Sequence, residues 1–143
     1  MTGPHLARYQ LPLLVWILAI FALSAIPGIP EIRFPISPDK LAHIGIYFVL
    51  CMLSRRAFFH QDRFLRVKKH SLSVAFGFTV VYGALDEFHQ LYVPGRWADI
   101  YDVLADAVGG ALFTGWFVWK ARRSNSPQER ERAVKERAKT DLT

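Results

Sequence analysis

Three short stretches of the chain hold the residues whose spacing suits acid–base or ligand chemistry. Asp39, His43 and Tyr47 fall at i, i+4 and i+8, so a helix there carries them along one edge. Glu87 and Gln90 follow Gly83 at i+4 and i+7, with Asp86 and His89 offset to a neighbouring face. Asp99, Asp102 and Asp106 are spaced i, i+3 and i+7, placing carboxylates at a helix start, where the macrodipole favours negative charge. His43 suits general acid–base work at neutral pH, with Asp39 one turn away to orient its ring, and Glu87 is the second candidate acid or base. The alternative for His43 is a hydrogen bond that packs two helices together. Arg96, after Pro94-Gly95, can clamp an anion, since guanidinium pairs bidentately with phosphate or carboxylate; it can equally pair with Asp99 at i+3. Lys40 is read as a ligand contact or an interfacial lysine reaching for the polar boundary. His43, Glu87, His89 and Asp102 are the residues able to ligate a metal, but no sequence-local ligand motif joins them, and no cofactor is expected.

The elements that must position these groups are apolar. Of 143 residues, 52% are hydrophobic. The mean hydropathy of +0.16 is modest because the charged tail 120–143 dilutes it. Four apolar segments stand out, and no polar stripe at helical period is apparent in Ser71–Leu85 or Ala107–Val118. Helices apolar on all sides belong in lipid or in the core of a much larger protein, and this chain is too short for such a core. The fold expected is therefore all-α: an integral membrane bundle of four transmembrane helices at about 11–29, 38–54, 71–89 and 101–119, forming residues 1–119. Residues 120–143 follow as a charged cytoplasmic tail, solvated helix or disordered. A cleaved signal peptide is the rival reading of the first segment, because Ala22-Leu23-Ser24 resembles a cleavage site.

Charge sets the orientation. With the N-terminus inside, the inner segments hold Arg8, the six Lys and Arg of residues 54–70 and the eight of the tail, while the outer ones hold only Arg33, Lys40 and Arg96. Cytoplasmic loops retain positive charge, so both termini are expected in the cytoplasm and the acidic stretches on the outer face. The net charge of +6 thus follows membrane topology, and no nucleic acid is expected as a partner. A single cysteine, Cys51, excludes an intramolecular disulfide. Gly109-Gly110 and Gly115 read as sites of close helix packing.

The polar stretches also carry a family resemblance. Asp39-Lys40-Leu41-Ala42-His43 with Tyr47, then Asp86-Glu87-Phe88-His89-Gln90 through Val93-Pro94-Gly95-Arg96, then Asp99 and Asp102-Val103-Leu104-Ala105-Asp106 with Gly109, resemble the VanZ-like family of small bacterial membrane proteins. The resemblance covers about residues 35–118 and implies a four-span protein of the bacterial inner membrane. The family's founding member is associated with teicoplanin resistance; no mechanism comes with the resemblance. The chain departs from the family at Asp106, where Asn is usual. Two function classes follow. In one, an outer-face pocket lined by Asp39, Lys40, Tyr47, Gln90, Arg96, Asp99, Asp102 and Asp106 binds membrane lipid or a lipid-linked cell-wall precursor of the envelope. In the other, His43 and Glu87 make the protein a hydrolase or transferase acting on such a lipid. A structural subunit of a membrane complex is a third possibility, and the oligomeric state is not set by the sequence.

Overall fold

A computed structural model describes residues 6–27 and 38–124. Regular structure among the described residues is entirely helical: a π-helical turn, Leu6–Gln10, runs into α1 (Leu11–Ser24), followed by α2 (Pro38–His60), a short α3 (Leu65–Lys69), α4 (Ser71–Gln90) and α5 (Ile100–Ser124). The expected outer loop before Pro38, with Glu31 and Arg33, and the tail beyond Ser124 lie outside the described residues.

Boundaries differ from the expected spans for local reasons. α1 stops at Ser24 rather than near residue 29, because the ring of Pro27 disfavours helix at Ile26 before it. α2 starts at Pro38, whose missing N–H costs nothing at a first helical position, and continues past Ser54 to His60. Gln61 closes the turn that follows. Its side-chain amide donates to the Phe58 and Phe64 carbonyls, at 3.2 and 2.8 Å, and its Oε1 accepts from the Phe64 N–H at 2.8 Å. The basic connection after it contains α3, which the sequence reading leaves as loop.

Residues up to Phe113 form one compact unit and those from Thr114 a second. In the first, Leu13, Ile20, Tyr47, Leu50 and Ala57 make the core, with Trp16, Ile17, Ile46, Phe78 and Tyr82 packed against it. Side chains also bond across helices to backbone carbonyls. Trp16 Nε1 donates to Ile46 at 3.1 Å, the Tyr82 hydroxyl to Ile17 at 3.0 Å, and Gln10 Nε2 to Ala57 at 3.1 Å. The first apolar segment is thus an integral part of the fold. In the second unit, Lys120 and Arg123 lie over the rings of Trp116 and Trp119, at 5.1 and 4.6 Å.

Polarity is inverted relative to a water-soluble bundle. The buried side of α4 is Ser71, Ala75, Thr79, Gly83, Asp86, Glu87 and Gln90, while Val81, Leu85 and Phe88 are more than half exposed. α1 turns Leu11, Leu14, Val15, Leu18 and Leu23 outward. Two helical stretches, Ala7–Ser24 and Pro38–His60, are long and apolar enough to cross a membrane. Only 17% and 28% of the 18-residue apolar window in each is buried, whereas the core helix of a soluble protein is mostly buried.

Small residues bring α5 close to its neighbours. A Cβ at Gly109 would collide with the Ile44 carbonyl oxygen and sit 3.0 Å from the Phe48 nitrogen; one at Gly110 would press on Phe76 and Thr79. Gly115, expected to serve likewise, faces open space. Gly109→Val is therefore expected to lower stability by about 1–3 kcal/mol, the usual cost of overpacking, whereas Gly115→Ala leaves it unchanged or slightly higher. Denaturant titration in detergent, read by tryptophan fluorescence, checks both.

Candidate functional site

The C-terminal ends of α1 and α4 and the N-terminal ends of α2 and α5 meet at one end of the first unit. Each helix delivers polar residues there because their 3–4-residue spacing keeps them on its inward face. The most buried link is between α2 and α5: His43 Nδ1 lies 2.9 Å from Asp106 Oδ1, with Asp106 completely buried. Space for that carboxylate comes from Gly83 on α4, where a Cβ would stand 2.5 Å from Asp106 Oδ2. Oδ2 itself has no hydrogen-bond partner. The expectation that Asp39 orients the His43 ring is corrected: the orienting carboxylate is Asp106, and Asp39 sits at the exposed first turn of α2.

A second linkage surrounds Lys40. Its ammonium donates to Asp102 Oδ1 at 2.8 Å and Asp99 Oδ2 at 3.0 Å, with all three side chains nearly buried, and lies 5.8 Å from the Tyr101 ring centre. Asp99 also caps α5. Its Oδ1 accepts from the Tyr101 N–H at 2.9 Å, which satisfies one of the open donors at the helix start. Lys40 is thus an internal counter-ion, and an interfacial reach toward water does not describe it.

Glu87 fixes the connection between α4 and α5. Its Oε2 accepts from the Asp99 N–H at 2.8 Å and its Oε1 from Gln90 at 3.1 Å; Gln90 also donates to Asp86 at 3.3 Å. Glu87 therefore positions the α5 start, a structural duty that sequence reading does not separate from acid–base work. The connection turns at Gly95, whose φ of 75° suits a residue without a Cβ. Beyond it Arg96 Nε donates to the Ile26 carbonyl at 3.1 Å, a contact with the end of α1 that neither sequence reading of Arg96 includes.

These groups border a cleft of about 130 Å³ lined by Ser24 of α1, Asp39, His43 and Tyr47 of α2, Asp86 and Gln90 of α4, and Arg96, with Ile20, Leu23, Ala42 and Ile46 as its apolar wall. Two of its polar groups are orphans: the Tyr47 hydroxyl and the Ser24 Oγ are buried without a hydrogen-bond partner. Tyr47 is only 1% exposed, and its ring runs parallel to that of His43 with 6.1 Å between centres. Sequence reading missed two lining residues. The spacing from Gly83 offsets Asp86 to a neighbouring face, although it lies one turn before Gln90; Ser24, the last residue of α1, carries no signal that distinguishes it from a small packing residue.

The four residues that the sequence leaves able to ligate a metal, His43, Glu87, His89 and Asp102, do not form one cluster among the described residues. Glu87 is engaged as above, and His89 packs against Phe21, 4.6 Å between ring centres. The described residues instead bring Asp39, His43 and Asp102 together, with one potential ligand atom from each, all within 4.8 Å of one another.

A family model described as VanZ/LLP1 matches residues 3–122, and the chain belongs to this family. No curated protein and no solved structure matches it.

Proposed function

Starting from membership of the VanZ/LLP1 family, we propose that the chain is a four-span protein of the bacterial cytoplasmic membrane, with both termini in the cytoplasm. Its cleft faces the outer leaflet and binds the polar head of a lipid or lipid-linked envelope precursor. Four spans are supported by the inverted polarity of α4 and α5, helices that fall short of the hydropathy of α1 and α2 because their inward faces carry the site. Orientation is supported by the basic residues of Arg55 to Lys69, which all lie at the end of the helices away from the cleft. A protein that covers such a head group changes what reaches it from outside, the route by which a contribution to teicoplanin resistance is proposed.

The observation that carries the binding reading is the pair of orphaned hydroxyls. Burying a hydroxyl without a partner costs about 1–3 kcal/mol, and both hydroxyls line the cleft that a ligand would enter. A bound head group rich in hydroxyl or phosphate oxygens supplies the missing partners. Native mass spectrometry of protein extracted gently from its own membranes tests this. Wild type is expected to retain a lipid-derived mass, which falls severalfold in Tyr47→Phe and is lost in His43→Ala at matched folding. If the hydroxyls are merely tolerated defects, Tyr47→Phe retains the same mass, or none is retained by either, and stability rises instead.

One observation favours a second reading, an enzyme acting on the same lipid. A buried carboxylate holding one imidazole nitrogen leaves the other ready to take a proton, the arrangement a general base needs. In that case His43→Gln abolishes turnover while the head group still binds, and Glu87→Gln acts mainly through disturbance of the α5 start.

A further inference from the structure

The cleft poses an electrostatic problem for any anionic head group. Around it stand Asp39, Asp86, Glu87, Asp99, Asp102 and Asp106, against Lys40 and Arg96. Lys40 is already shared between two of those carboxylates, and like charges at this spacing repel an incoming phosphate or carboxylate. A cation held on the acidic side removes the conflict.

We infer that Asp39, His43 and Asp102 form a binding site for one divalent transition-metal cation at the rim of the cleft, through which an anionic head group is held. An imidazole with two carboxylates is a donor set suited to zinc or manganese. Two ligands about 2.2 Å from one ion lie at most about 4.4 Å apart, so atoms already within 4.8 Å need only small side-chain rotations to close on it. Asp102 gives Oδ1 to Lys40 and keeps Oδ2 for a cation. Asp106 supplies the outer support: by accepting from His43 Nδ1–H it fixes the ring and leaves the lone pair on Nε2, the arrangement in which metal-ligating histidines are held.

The second, independent observation lies beside the cluster. Tyr47 is 99% buried one helical turn from His43, lines the same cleft as Asp39 and His43, and has an unpartnered hydroxyl. Three protein ligands leave a divalent ion with open positions, and a metal-bound water or head-group oxygen in one of them gives that hydroxyl its partner. The metal site stands on this geometry alone, whereas its bridging role rests on the head-group reading above.

The test is titration of Zn²⁺ into the metal-stripped full chain in detergent, by calorimetry against a competing chelator. Wild type is expected to bind one equivalent. Asp39→Ala removes an exposed ligand at the start of α2 and is expected to weaken binding at least about tenfold with an unchanged apo-protein melting temperature, since losing even a residue that only supports a ligand costs about 10–100-fold. Asp62→Ala, a carboxylate of the basic connection, serves as the control and leaves binding unchanged. Absence of zinc binding by wild type, or equal binding by Asp39→Ala, overturns the metal site. Lipid retention measured with and without chelator then separates the two claims. Retention lost on chelation supports bridging, and retention indifferent to chelation overturns bridging while the metal site stands. Failure of wild type to retain any lipid counts against the head-group reading and leaves the zinc result to be judged on its own.

Discussion

Lys40→Met is expected to destabilise the protein by about 3–5 kcal/mol, the cost of removing one partner from a buried charge pair. The Lys40 ammonium is the group that both Asp99 Oδ2 and Asp102 Oδ1 contact, and the side chains are only 11–13% exposed, so little water is on hand to replace it. Methionine keeps much of the length of the stem and removes the charge. Two carboxylates at the start of α5 then face each other without their counter-ion, and the cap that Asp99 places on that helix is pulled out of register. The double variant Lys40→Met/Asp102→Asn removes one of the stranded charges and is expected to recover more than half of the loss. Denaturant titration of the four variants of this cycle, followed by tryptophan fluorescence in detergent, gives the coupling directly. Equal stability of wild type and Lys40→Met would show that the pair contributes nothing.

Asp106→Leu is expected to cost about 3 kcal/mol, and Asp106→Asn less than about 1 kcal/mol. Leucine leaves His43 Nδ1 without its partner and forces branched methyls toward Gly83, where a carboxylate oxygen already fits closely. Asparagine preserves the accepting oxygen, so the His43 ring keeps its orientation. It also puts a donor where Oδ2 has no partner now. The resemblance to a family in which Asn is usual at this position fits that tolerance: the position demands an acceptor for His43, and the carboxylate is one way to supply it. The same contrast extends to the ligand site, where Asp106→Leu is expected to lose zinc and Asp106→Asn to keep it within a few-fold. Equal stability of the two variants would contradict the assignment of Asp106 as the support of His43.

The residue pattern makes the elements legible and hides their partners. Apolar runs locate the starts of α1, α2, α4 and α5 to within a residue, while the ends of α1, α2 and α5 differ by five or six; the i, i+3 and i+4 spacing groups the polar residues toward one end. That spacing is a property of a single helix, so it pairs His43 with Asp39, its neighbour in sequence. The structure pairs it with Asp106, 63 positions away. Lys40 shows the same limit, since nothing near it in sequence reveals two carboxylates on another helix. A stripe was also missed on α4. Ser71, Ala75, Thr79 and Gly83 recur every four residues, but alanine and glycine blur any contrast between polar and apolar faces. In a bundle whose outside is apolar, the inward face is marked by small size more than by polarity. The close approach at Gly109 was legible for that reason, and the open space at Gly115 was not, because composition alone cannot tell which small residues face a neighbour.

In the proposed topology the cleft faces the outside of a four-span membrane protein. Cys51 is the chain's single cysteine and is completely buried, so single-cysteine labelling of intact cells with a membrane-impermeant maleimide starts from a silent background. Trp97 lies 70% exposed on the connection beside the cleft, and Asp62 stands at the opposite end in the basic connection. Trp97→Cys is expected to label in intact cells and Asp62→Cys only after the membrane is permeabilised; labelling of Asp62→Cys in intact cells, with Trp97→Cys protected, would contradict the account.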